Sequence, residues 1–196
     1  ASDGALYRSP SDEGECDGEN DSWTPILFSD GANKTADSPY TELTQKQRER
    51  PCIGAVMGIA HSSECDAAST LDNDISHPFY TLDCHSTQMS SPNACSYSTE
   101  ISASIFYLDR MHMFAYFAEC MGMKVKPTVW LTDSESCLSR LRSGDVNPSD
   151  SRDASNLWRL LTKIKQNSVV PLFAPDPGNI ADACTKFWAD GTRKWC

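Results

Sequence analysis

No run of apolar residues in the 196-residue chain approaches the roughly 20 that span a bilayer. The opening ASDGALYRSPSDEGEC has neither the basic start nor the apolar stretch of a secretory signal. These two absences argue against a membrane span and against secretion. No Cys-x-x-Cys occurs, and His61, His77, His85 and His112 never fall near a cysteine pair at zinc-finger spacing, which argues against structural zinc. The 9 cysteines are odd in number and loosely spaced, so they read as reduced thiols of an intracellular protein and not as a disulfide framework. Positive charge is scarce as well: 17 Lys and Arg face 27 Asp and Glu, a net of -10. At face value that argues against a nucleic-acid partner, because phosphate binding is dominated by Lys and Arg.

The negative charge is unevenly spread. Residues 1–22 hold seven acids (Asp3, Asp12, Glu13, Glu15, Asp17, Glu19 and Asp21) against one base, Arg8, a net of -6, and the remaining residues carry -4. That stretch is rich in Gly and Ser and has almost nothing to bury, so it reads as an acidic disordered leader or interdomain linker. Residues 23–196 form one folded domain.

Within that domain TPILFSDGAN, residues 24–33, reads as a strand entering a Gly-marked turn, with Ile26, Phe28 and Asp30 on one face. Residues 52–60 and 79–84 are two further strands, and the polar stretch between them, residues 61–78, is an inserted loop. The longest periodic segment, residues 99–121, lacks Gly and Pro and is apolar around most of its circumference, which predicts a buried helix. Ser98 or Thr99 is its predicted cap and Gly122 its stop. KPTVWLTD, residues 126–133, is a fourth strand, followed by a short helix around residues 135–142. Leu157, Leu160, Leu161 and Ile164 fall at the spacing of an amphipathic helix, with Arg159 and Lys163 on its outer face. SVVPLF, residues 168–173, is a fifth strand, and a last helix runs from about residue 180 to 188. The order predicts an α/β domain: a five-stranded mixed sheet with helices packed on both faces, in which the third strand, long helix and fourth strand make a right-handed crossover. Phe106, Tyr107, Trp130 and Trp158 are assigned to the core.

Four acids occupy element ends that this topology can bring together: Asp30, Glu100 in the first turn of the long helix, Asp133 closing the fourth strand, and Asp182 opening the last helix. Singly, each has an ordinary role, as a turn residue (Asp30), a capping-region acid (Glu100) or an N-cap (Asp133 and Asp182). Four such ends in this order point instead to a cluster of hard oxygen ligands suited to Mg²⁺ or Mn²⁺. A pair of such ions about 3.5 to 4 Å apart can hold a scissile phosphate. Glu135, two residues past Asp133, reads as surface. Gly31, Ala32, Asn33 and Ser134 adjoin the acids and are the candidate substrate contacts; Asn33 and Ser134 could bond the 2′-hydroxyls that distinguish RNA, with turn chemistry an equal reading for Asn33. Arg140, Arg142, Arg152, Arg159 and Lys163 could line a phosphate track, or simply be solvated charges.

In that order ILFSDGA, YSTEISAS, VWLTDSES and NIADACTK resemble the four motifs of the ribonuclease H domain of a retroelement reverse transcriptase, in particular that of the copia-type LTR retrotransposons. The likeness covers about residues 23–188. It implies that Asp30, Glu100, Asp133 and Asp182 ligate two Mg²⁺, with Mn²⁺ as a substitute. The implied reaction is cleavage of the RNA strand of an RNA/DNA hybrid, leaving a 3′-hydroxyl and a 5′-phosphate. It also implies a fused or associated polymerase domain, an intracellular setting and a monomeric isolated domain without membrane contact. Two departures stand out. The interval from Asp30 to Glu100 is long, the excess falling in residues 61–78, and VVPLFAPDPGNIAD contains no histidine, so no assisting His role is assigned. Proofreading exonucleases of the same fold carry Asp-x-Glu where this chain has Asp30-Gly31-Ala32, and integrases end their triad on Glu where Asp182 stands. The non-enzymatic alternative is a domesticated or decayed domain used as a scaffold or nucleic-acid clamp.

Overall fold

The computed structural model describes residues 22–32, 50–61, 79–90, 95–144, 151–175 and 178–185. The leader, Asn33, the insertion at 62–78 and the segment with Trp188 and Trp195 lie outside the described residues. The elements are β1 (Trp23–Ala32), β2 (Cys52–His61), β3 (Tyr80–Gln88), α1 (Ser96–Cys120), β4 (Val129–Thr132), α2 (Glu135–Ser143), α3 (Ser151–Gln166), β5 (Val170–Phe173) and α4 (Asp182–Thr185). The sheet order is β3-β2-β1-β4-β5. β1 pairs antiparallel with β2, and β2 with β3, whereas β1–β4 and β4–β5 are parallel. The mixed five-stranded sheet therefore forms as the sequence pattern predicts. Among the described residues no helix is long and apolar enough to cross a membrane, and no disulfide joins any of the described cysteines.

Strand alternation divides the interior into two cores. Leu27 of β1, Ile53, Ala55 and Met57 of β2 and Trp130 of β4 pack with Ile101, Tyr107, Leu108 and Met111 of α1 and with Leu157 and Leu160 of α3. On the opposite face Phe28, Val56 and Leu131 pack with Ala174, Ala181 and Cys184. Complete burial of each Leu or Ile in the larger core contributes about 1.5–3 kcal/mol. β4 and β1 are further tied by Trp130 Nε1, which donates to Ser29 Oγ at 2.9 Å. Val170 and Ala174 donate to the Thr128 and Thr132 carbonyls, so Pro171, between them in β5, turns its ring nitrogen away from β4, to the side with no strand neighbour among the described residues.

Several expectations are corrected. α1 begins at Ser96 with Cys95 as N-cap, which makes no side-chain cap bond, and not at Ser98 or Thr99. The reason is that both hydroxyls are spent elsewhere: Ser98 Oγ donates to Asp153 Oδ1 of α3 at 2.6 Å, and Thr99 Oγ1 to the Cys95 carbonyl at 3.3 Å. Glu100 consequently sits in the second turn of α1. The helix ends as expected before Gly122, whose N–H bonds the Glu119 carbonyl while the Met123 N–H bonds that of Ala118. Beyond Met111 only Ala118 of this helix is buried, however. Met113, Tyr116, Phe117 and Met121 are exposed because the helix outruns the sheet beneath it, and Phe106 and Trp158, assigned to the core, are also exposed. Lys163 is not a free outer-face charge either; its ammonium pairs with Asp109 of α1.

α1 approaches β1 closely because Gly31 has no side chain. A Cβ there would lie 2.8 Å from the Glu100 nitrogen and 2.9 Å from the Thr99 carbonyl oxygen, both backbone atoms that cannot rotate away. Gly31→Ala is therefore expected to cost about 1–3 kcal/mol of stability, read as a lower urea midpoint at unchanged slope.

Candidate metal centre

Asp30 is the third residue from the end of β1 and is 3% exposed. Its ladder partner in β2 is Gly54. A Cβ at Gly54 would stand 2.5 Å from Cys184 Cβ and 2.8 Å from Thr185 Cγ2, so the bare backbone lets α4 settle directly on β2 beside Asp30. Asp133 follows β4 immediately. Because β4 runs parallel to β1, their C-terminal ends, and these two carboxylates, emerge on the same side of the sheet. Asp133 precedes Ser134, the N-cap of α2, and does not itself cap that helix. Asp182 opens α4 after a loop held by Asn179, whose Nδ2 donates to the Ser29 carbonyl and whose Oδ1 accepts from the Ala181 N–H, each at 3.2 Å.

One carboxylate oxygen from each of Asp30, Asp133 and Asp182 lies within 4.8 Å of the other two. Glu100 stands against this set from the other layer, over Gly31. Burial first, and then the charges of Asp30 and Asp133, push its carboxyl up to about 9, opposed in part by the Gly31 N–H that bonds it. Its Oε2 is buried and receives no hydrogen bond among the described residues. Behind it, burial and the charge of Glu100 raise the Cys137 thiol to about 12, so this sulfur stays protonated.

The residues present fit a divalent cation. An octahedral ion at about 2.1 Å from hard oxygens spaces them about 3 to 4.2 Å apart, inside the 4.8 Å within which the three aspartates bring an oxygen each. The buried, unbonded Oε2 of Glu100 is the kind of atom that an ion satisfies.

Of the candidate substrate contacts, Gly31 is buried beneath α1 and Ala32, ending β1, is half-buried. Ser134 is half-buried, with its N–H on Thr132 Oγ1 at 3.2 Å. The proposed arginine track is thinned. Arg140 stacks its guanidinium on Tyr97, 4.5 Å from the ring centroid, and Lys163 is paired, leaving Arg142, Arg152 and Arg159 exposed. Two residues with no assigned role prove to contact the site: Asn179, and Thr185, whose hydroxyl donates to Asp30 Oδ2. Thr185 lay in the ADACTK motif, but a bond spanning 155 residues leaves no local mark.

Neither a known family pattern nor any curated protein sequence matches the chain. Solved structures do. RNase H1 LC11, isolated from compost by a metagenomic approach, is similar with a TM-score of 0.52 and 16% identity over 81% of this chain and 90% of its own. The same protein in complex with an RNA/DNA hybrid matches at 0.52 and 15%, covering 82% and 93%. The N-terminal RNase H domain of a Mycobacterium tuberculosis protein, fused to maltose binding protein, matches at 0.52 and 15% over 87% and 94%. The fold is thus the RNase H-like α/β fold. In this chain it carries a partly buried acidic cluster formed by the C-terminal ends of β1 and β4 and the start of α4.

The raised carboxyl of Glu100 fixes a sign. Its proton is held more tightly in the folded chain than in the unfolded one, so its contribution to metal-free stability is fullest below about 4.5 and falls as pH rises towards about 9. Thermal unfolding in chelator across that window should show the decline, and Glu100→Gln should flatten it.

Proposed function

We propose that the protein is a divalent-metal-dependent endoribonuclease that cuts the RNA strand of RNA/DNA hybrids. Asp30, Glu100, Asp133 and Asp182 would hold two Mg²⁺, with Mn²⁺ able to substitute. The observation that carries this reading is the convergence of Asp30, Asp133 and Asp182, from three separate elements, to within 4.8 Å, on a fold shared with an RNase H1 solved on a hybrid. When bound, a metal pair supplies a water activated at neutral pH and a counter-charge for the leaving oxygen.

The chain's own contribution is placement. β1 and β4 present two carboxylates from rigid strand ends, α4 brings the third, and α1 lowers Glu100 onto them from the opposite layer. Asp30 is buried, and Cys184 and Thr185 pack over its ladder partner Gly54. Gly31, Ala32, Asn33 and Ser134 lie beside the acids in sequence and are the proposed contacts to the hybrid. Residues 23–196 carry -4, which two divalent ions would bring to about zero. An acidic domain can then meet a phosphate backbone, although weakly and in a salt-sensitive way, with a fused partner adding affinity. The four motifs further support a setting in retroelement reverse transcription of copia type, inside the cell and behind a polymerase domain. Residues 1–22 would serve as the acidic linker.

Cleavage of an end-labelled RNA/DNA hybrid in Mg²⁺ tests the reading. Wild type is expected to cut the RNA strand, and Asp133→Asn to lose at least roughly a hundredfold in rate, as removal of a charge-stabilising group does. Equal rates in the two proteins would overturn the assignment. Metal-independent hybrid binding that survives the substitution, without cleavage, would support a scaffold instead.

A further inference from the structure

We infer that Thr185 is a positioning residue for the metal centre: its hydroxyl fixes the Asp30 carboxylate, and through it the register of α4 and Asp182 against β1. This inference rests on the metal reading above and deepens it. Thr185 is 3% exposed, and its Oγ1 donates to Asp30 Oδ2. The backbone carbonyl of Asp182 stands farther from the same hydroxyl, at 3.4 Å, leaving Asp30 the nearer acceptor.

Both branches at the Thr185 Cβ are used. The methyl Cγ2 sits over Gly54, where an added Cβ would come within 2.8 Å of it. A β-branched side chain has few χ1 choices, and once the methyl is seated on β2 the hydroxyl is directed at Asp30. Asp30 Oδ2 is thus oriented by a bond from α4, the element that carries Asp182 three residues earlier. A second tie, from Asn179 to the Ser29 carbonyl, fastens the loop before α4 to the residue preceding Asp30. α4 covers four of the described residues, and these side-chain bonds tie it to β1 beside Asp182. Groups that orient metal ligands in this way typically change metal affinity 10–100-fold when removed.

Valine keeps the shape of threonine and loses the hydroxyl, whereas serine keeps the hydroxyl and loses the methyl. In the full chain, free Mn²⁺ is titrated by electron paramagnetic resonance for wild type, Thr185→Val, Thr185→Ser and Asp133→Asn, with folding checked by thermal unfolding in chelator. Should the valine variant not fold, Thr185→Ala takes its place. The expected result is Mn²⁺ affinity about tenfold or more weaker in the valine variant, near wild type in the serine variant, and abolished or strongly reduced in Asp133→Asn. If wild type takes up no Mn²⁺, or Asp133→Asn binds it as wild type does, the metal reading fails and this role with it. If wild type binds and Asp133→Asn does not, yet valine at 185 binds like wild type or serine is as weak as valine, the positioning role alone is overturned.

Discussion

Two helices on opposite faces of a sheet must both touch the end of one strand, and ordinary side chains would hold them off. At the end of β1 that constraint is met by omission. Gly31 opens the face on which α1 lies and Gly54 opens the face on which α4 lies, so Glu100 and Asp182 arrive at Asp30 from above and below. β4, parallel to β1, brings Asp133 alongside. The cluster follows from these close approaches more than from any preference of the acids for one another; like charges at this spacing repel, and burial first, then the charges of Asp30 and Asp133, raise the affinity of Glu100 for a proton. The larger core beneath Trp130 and Tyr107 supplies the rigidity that keeps the repelling groups together.

Much of this was legible in the chain. β1, β2 and β4 are short apolar runs bounded by turn residues, and the stripe of Leu157, Leu160, Leu161 and Ile164 sits on α3. The acids could be found because each stands at a strand or helix end, where topology converges. Other features were not legible, for physical reasons. The start of α1 is hidden because Ser98 and Thr99 look like caps, while the partner that claims Ser98, Asp153, is 55 residues away. The exposed end of α1 carries the same pattern as a buried helix, because aromatic and Met residues around a helix look alike in sequence whether or not a sheet lies beneath them. Thr185 and Asn179 act through bonds spanning 155 and 150 residues, and a pattern of neighbours in sequence cannot register those.

Polar groups are rarely left to chance in the interior. Tyr107, fully buried, donates its hydroxyl to the Ile53 carbonyl at 3.1 Å and lies 2.9 Å from His85 Nδ1. Burial, and then Arg110, hold that imidazole below its usual range, favouring the neutral ring. Arg110 in turn pairs with Asp83 at 3.1 Å on the same strand as His85. β3 is thereby fastened to α1 by polar contacts, on the side of the sheet away from β4 and β5. Against that background Glu100 Oε2 is one of three buried side-chain atoms with no hydrogen bond among the described residues, and it is placed where a cation would complete it.

Pro171 makes the two borders of the sheet unequal. β5 is four residues long, and one of its two outward positions has no N–H to offer. A foreign strand arriving there would find too few donors to zip along. β3, with nine residues, is the longer border, but a register irregularity opposite Met57 and Gly58 interrupts its even spacing, and such breaks discourage a straight strand from aligning. Growth of the sheet into chain-to-chain stacks is thus hindered at one rim by chemistry and at the other by shape.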